Sequence, residues 1–246
     1  MDIIKYKKLK NGKYQIVTTM DTFDLYEDTI LKYNLLVSKK IDDKKSILDY
    51  DEKCNVYYVA LKYLKSRIHS KKEVYEFLMK RGYPSEFVRI AIEKLENQGY
   101  INDLFYAKSF LNNKIITTSH GPLIIKKELE DKGVLEEIIC EALNDYTDDI
   151  QKVKIDKRIK MIIASNRGKS NKAIMLKIKN DLSREGFSKS VVSSQLQNIE
   201  LGDDSNVRKI QYEKLYRKYS RKYSGYELEF KIKKALYQKG FTYEKD

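Results

Sequence analysis

The chain has 246 residues, 41% hydrophobic and 35% charged, with two prolines and a formal net charge of +13. That balance supports a buried core beneath a heavily charged surface, and the scarcity of helix breakers beside abundant Lys, Glu, Leu and Ile argues for a mainly helical protein. Cys54, Cys140, His69 and His120 lack metal-ligand spacing and form no C-x-x-C, and no apolar run approaches the roughly 18 residues of a membrane span, so a zinc module, a disulfide framework and a membrane protein are set aside.

The first fifty residues read as β-rich. Ile3–Tyr6 is short, apolar and β-prone, and Asn11-Gly12 is a strong hairpin signal. Tyr14, Ile16 and Thr18 then alternate with polar or opposite-face neighbours, and Thr22–Tyr26 can supply a third strand. Glu27–Leu31 looks like the start of a short helix. The β-rich segment is expected to span 1–51.

From Asn55 the period becomes helical and an internal repeat appears. Four segments place Leu four residues before Gly and an apolar residue just after it: Leu78…Gly82-Tyr83, Leu129…Gly133-Val134, Leu182…Gly186-Phe187 and Leu236…Gly240-Phe241. Val74, Ile125, Ile178 and Ile232 stand eight before each Gly, and the glycines are 51, 53 and 54 residues apart. Positions −8 and −4 share one helix face. Gly sits past the helix end, where positive φ is needed, and the apolar residue folds back on the last turn.

Each unit has room for three helices. In the first, Val56–Lys65 forms one, Ser70-Lys71-Lys72-Glu73 is a capping box for the second, and Ser85 caps a third that buries Val88, Ala91, Ile92 and Leu95 before Gly99. Asn102 caps the next helix, which carries Phe105, Tyr106, Phe110 and Leu111. The expected fold is mainly α: tandem three-helix, helix-turn-helix-like repeats in an elongated array behind the β-rich segment. The repeats are placed at 52–100, 101–148 and 149–202, with a partial fourth at 203–246.

Charge is uneven along these units. Residues 101–149 carry 5 basic and 10 acidic side chains, net −5, whereas 150–202 carry 12 and 4, net +8. An acidic second unit argues against one phosphate-tracking surface along the whole chain, and a partner of mixed charge fits better. The third unit is the best polyanion candidate, through Lys154, Lys157, Arg158, Lys160, Arg167, Lys169 and Lys172. Arg67, Lys71, Lys72, Arg81 and Arg89 are the corresponding candidates in the first unit.

Arg167-Gly168-Lys169-Ser170 resembles the end of a phosphate loop, but Ile163 stands where the motif needs its first Gly, so a turn between helices is expected and no nucleotide. Tyr212, Tyr216, Tyr219, Tyr223 and Tyr226 recur at helical spacing among Lys214, Arg217, Lys218, Arg221 and Lys222. Bases could stack on such a helix, but tyrosines packed on a neighbouring unit are the expected reading. His69 and His120 are expected to be structural or solvent-exposed, and no nucleophile–base arrangement, cofactor site or metal site stands out.

Ala60–Ser70, with Glu73, Val74, Leu78 and Arg81-Gly82-Tyr83, resembles the first repeat of the RecX family. Gly99-Tyr100-Ile101-Asn102-Asp103 with Phe105, Tyr106 and Ala107 is similar to that family's most recognisable stretch, where the residue matching Asn102 is commonly Asp. Gly121–Gly133 and Lys177–Phe187 resemble its second and third repeats, and the hairpin and Glu27–Leu36 resemble its longer members. The lone cysteines and the lack of a long apolar segment read as a cytoplasmic protein, and a monomer is expected. The resemblance implies a non-enzymatic protein whose partner is RecA and its single-stranded DNA filament, and which lowers recombinase, ATPase and coprotease activity. It also implies that direct single- or double-stranded DNA contact occurs in some members. Arg67, Ser70, Gly82 and Asp103 match the family pattern and read as mainly architectural, as do Gly133, Gly186 and Gly240. The rival reading is a nucleic-acid-binding protein that acts alone through its helix-turn-helix-like units.

Overall fold

The computed structural model describes residues 1–242. It is mainly helical, with one small sheet. Strands β1 (Ile3–Lys8), β2 (Lys13–Thr18) and β3 (Thr22–Tyr26) form an antiparallel sheet in the order β1-β2-β3. Gly12 takes φ +81° in the first turn, as the Asn-Gly signal predicts. Ile16 and Leu25 point inward, and Ile3, Ile30, Leu35, Ile41 and Ile47 complete that core. Two short helices follow, α1 (Glu27–Lys32) and α2 (Leu35–Ser38).

The repeat body consists of α3 (Lys44–Leu64), α4 (Lys71–Lys80) and α5 (Ser85–Asn97), then α6 (Asp103–Thr117), α7 (Pro122–Asp131) and α8 (Glu136–Leu143). A third triplet comprises α9 (Asp148–Ser165), α10 (Asn171–Arg184) and α11 (Lys189–Gln197), and α12 (Ser205–Tyr219) and α13 (Gly225–Gln238) come last. The described residues group into two compact units: Met1–Ser109 with Leu129–Ile139, and Phe110–Glu128 with the residues from Cys140 onward. In the first unit Val56, Ala60, Val74, Leu78, Val88 and Leu95 form the centre of one core. In the second, Ile155, Ile162, Ile178, Leu182 and Val192 form another, and Leu215, Leu228, Ile232 and Leu236 a third.

The repeat signature is a structural fact. Val74, Ile125, Ile178 and Ile232 are buried, as are the four leucines at −4. All four signature glycines have φ between +76° and +87°. In the last three copies the residue after Gly donates its N–H to the carbonyl of the −4 leucine: Val134 to Leu129 and Phe187 to Leu182 at 3.1 Å, and Phe241 to Leu236 at 3.1 Å. Each Gly donates to the carbonyl at −3, which completes a Schellman motif and satisfies carbonyls the helix end would otherwise leave unpaired.

Three local expectations need correction. The first repeat helix starts at Lys44, not Val56, because the Asp43 side chain accepts from the Ser46 N–H and caps it there. Its early turns pack on the sheet: buried Asp51 accepts from the Tyr26 N–H and the Thr29 hydroxyl, each at 2.7 Å. Ser85 does not cap α5 but is its first residue. Pro84, with φ at −56° and its carbonyl accepting from the Val88 N–H at 3.0 Å, takes the cap position. Ser70 does cap α4, accepting from the Glu73 N–H at 3.2 Å, but the Glu73 side chain serves Arg67 and Lys132, so only half of the capping box forms.

Candidate partner-binding surface

The same joint between consecutive repeats is built three times. The start of one repeat's second helix meets the C-terminal glycine turn of the next repeat's second helix. In the first joint the Ser70 hydroxyl donates to the Lys132 carbonyl at 2.8 Å, beside Gly133. In the second, the Gly121 N–H donates to the Glu185 carbonyl at 2.6 Å and the Leu123 N–H to the Gly186 carbonyl at 3.1 Å. In the third, the Ser170 hydroxyl donates to the Lys239 carbonyl at 2.7 Å, beside Gly240. The glycines matter twice. They allow positive φ, and at Gly133, Gly186 and Gly240 a Cβ would come within 2.5–2.8 Å of the facing element. A carboxylate locks the first and third joints: Asp103 accepts from the Lys71 N–H and Asp204 from the Asn171 N–H, each at 2.8 Å.

The first joint carries a charge network. Arg67 and Lys132 reach the two oxygens of Glu73 at 3.0 and 2.9 Å. Burial pushes the Glu73 carboxyl up, but these hydrogen bonds and positive charges outweigh it and hold its pKa at about 2. His69 lies against Tyr63 and within 3.3 Å of Glu73. Its burial, and then the Arg67 charge, lower its pKa, so it is neutral at pH 7 and structural, as expected. Lys71, Lys72 and Arg89 share a groove of about 610 Å³ with Tyr75, Ile92 and Glu96. Lys71 pairs there with Glu96 at 2.8 Å, whereas exposed Arg89 has no ion-pair partner among the described residues. Arg81 stands apart, with its guanidinium 4.6 Å from the Phe77 ring centroid.

The basic residues of the third repeat divide into two groups. Lys154 donates to the Thr118 carbonyl at 2.8 Å, and its burial lowers its pKa, so its ammonium holds a loop. Arg158 is 2.6 Å from Glu185 and 3.9 Å from Asp181. Lys157, Arg167, Lys169 and Lys172 are exposed and make no ion pair among the described residues. Arg167–Lys169 lie in the turn between α9 and α10, as expected. Lys169 and Lys172 line a second groove, of about 630 Å³, with Leu176, Tyr237 and Phe241 at the third joint. Both basic grooves therefore lie at a joint made of Ser, Lys two residues later, and the next repeat's Gly. Sequence reading missed Ser170, Asp204 and Lys239 as joint residues. The parallel of Ser70-Lys71-Lys72 with Ser170-Asn171-Lys172 was the available signal.

The tyrosine helix corrects another expectation. Tyr219 and Tyr223 pack on the last core, but Tyr212 and Tyr216 are 40% and 48% exposed and Tyr226 86%. Leu215 takes the inward position of α12 and leaves that pair on the flank.

Residues 57–95 match the model of the first three-helix domain of RecX, and residues 102–143 that of the second. The regulatory protein RecX of Oceanobacillus iheyensis is 31% identical over 98% of this chain and 93% of its own length. The chain belongs to the RecX family. A second RecX, from Streptococcus sanguinis, is 31% identical over 99% of this chain and 96% of its own. A crystal structure of regulatory protein RecX covers 79% of the chain at 27% identity with a TM-score of 0.70, and that of RecX from Lactobacillus salivarius covers 60% at 30% identity with 0.59. The second match coincides with the α6–α8 triplet, and the first begins at Tyr57, inside α3, and runs through α4 into α5. No helix among the described residues is long and apolar enough to cross a membrane.

Proposed function

We propose that this protein binds RecA and the RecA–single-stranded DNA filament in the cytoplasm, as a monomer without catalysis of its own, and lowers recombinase, ATPase and coprotease activity. The observation that carries the proposal is the match, over nearly the whole chain, to proteins named as regulators of this family. The surface supports it. Lys71, Lys72 and Arg89 line one groove and Lys169 and Lys172 another, while residues 101–149 carry the net −5 that a bare phosphate track would repel.

The test is ATP hydrolysis by the cognate RecA on single-stranded DNA, with co-sedimentation of the filament. Hydrolysis is expected to fall as the protein is added, with the protein in the pellet. Lys71→Glu with Lys72→Glu and Arg89→Glu should weaken both effects. Unchanged hydrolysis with the protein left in the supernatant would overturn the proposal.

A further inference from the structure

We propose that Tyr212 and Tyr216 on α12 form a base-stacking site for single-stranded nucleic acid, independent of any contact with RecA. The two rings stand four residues apart on one helix flank, about half exposed. Their centroids are 6.3 Å apart and their planes 23° from parallel. Stacked bases are separated by roughly 3.4 Å, so a base flanked by two rings needs about 6.8 Å. A small side-chain rotation would supply the difference, and the exposure of both rings leaves room for neighbouring bases. A concavity of about 220 Å³ already lies here, lined by Tyr212, Glu213, Tyr216 and Arg217.

The charge around the rings selects the occupant. Between Ser205 and Tyr219 the helix carries Arg208, Lys209, Lys214, Arg217 and Lys218 against the single acid Glu213. Lys209, Lys214 and Arg217 are exposed and make no ion pair among the described residues. A phosphate backbone running beside the rings would meet these cations while its bases meet the aromatic faces. That pairing of cationic track and sequence-tolerant stacking is how single strands are held without base-specific hydrogen bonds. A protein helix would instead need a continuous apolar stripe, and here the tyrosine pair is hemmed in by cations.

The site also explains why two large aromatic side chains stay out of the core on a helix whose Leu215, Tyr219 and nearby Tyr223 go in. Their exposure means that removing them should leave the fold intact.

Binding of the full-length chain to labelled oligo(dT), and to an abasic strand of equal length, by fluorescence anisotropy tests the site. The wild type is expected to bind oligo(dT) more tightly than the abasic strand. Tyr212→Ala with Tyr216→Ala should weaken oligo(dT) binding by about tenfold or more, the range for losing a base–aromatic stack, and erase the preference over the abasic strand. The abasic affinity and the salt slope should not change, because the phosphate contacts remain. Tyr212→Phe with Tyr216→Phe should retain wild-type binding, since the ring and not the hydroxyl does the stacking. Equal wild-type affinity for the two strands, or unchanged oligo(dT) binding by the alanine pair, would overturn the proposal.

Discussion

Two glycines in neighbouring repeats illustrate two separate reasons for having no side chain. Gly82 has φ +81° and open space where a Cβ would go, so its requirement is purely conformational. Gly121 meets the opposite demand: a Cβ there would lie 2.6 Å from the backbone carbon and oxygen of Gly186. Gly82→Val is expected to cost about 1 kcal/mol or more, because a β-branched residue is poor at positive φ. Gly82→Asn should recover much of that loss, since Asn tolerates the left-handed region. Gly121→Ala should cost about 1–3 kcal/mol through the backbone clash, and Gly121→Asn should cost no less. Thermal melting midpoints of the four variants check this, and an Asn rescue at Gly121 would show that close approach is not its constraint. The glycine at 82 was legible from its place after Leu78. Gly121 was not, because its constraint comes from a turn 65 residues away in sequence.

At the level of elements, each second helix buries its −8 and −4 residues in its own repeat; α7 and α10 also offer both ends to neighbouring repeats, α4 its start and α13 its end. Helix α4 shows how an end is held. Ser70 accepts from the Glu73 N–H and donates to the Lys132 carbonyl, and Glu73 draws in Arg67 and Lys132. The depressed Glu73 pKa makes this joint acid-sensitive. A carboxyl whose folded pKa, about 2, lies below its unfolded value stabilises the fold above that unfolded value, and the contribution is lost as pH falls toward 2. Allowing for solvent screening, about 1–2 kcal/mol should disappear between roughly pH 5 and 2. Denaturant titrations of wild type and Glu73→Gln should therefore differ most near neutrality and converge at low pH. A constant gap across that range would mean that the ion pairs contribute nothing. Helix starts were less legible than helix ends. The sequence offers Ser70, Ser85 and Asn102 as equal caps, but at Ser85 the preceding proline fixes the entry, and at the start of α3 the sheet recruits three extra turns through Asp51.

Across the whole molecule, a charge of +13 predicts attraction to polyanions but does not say which cations deliver it. The fold withdraws Lys154 onto backbone carbonyls and pairs Arg158 with Glu185, while Arg167, Lys169 and Lys172 make no ion pair among the described residues. Replacing those three by Glu is expected to weaken binding to naked single-stranded DNA and to make its salt dependence shallower, because fewer phosphate contacts release fewer counterions. Binding to the RecA filament should fall less and with a shallower salt slope, because protein–protein contacts add to the phosphate term. A salt titration of both affinities, for wild type and the triple variant, measures this. Equal affinities with one common slope would mean that the protein reads DNA alone.

The sequence by itself determined the repeat, its period and the helix face that each repeat buries. Those features follow from local periodicity and from glycine's access to positive φ, both of which are properties of a short stretch of chain. It also determined the hairpin, since Asn-Gly sets its turn without help from elsewhere. Only the tertiary structure decided which side chains remain available. Whether Lys154 meets solvent or the Thr118 carbonyl, and whether Tyr216 joins the core beside Leu215 or stays on the flank, depends on segments distant in sequence or on a rotation about the helix axis. Burial and ion pairing are settled by what arrives opposite a residue, and no local pattern encodes that.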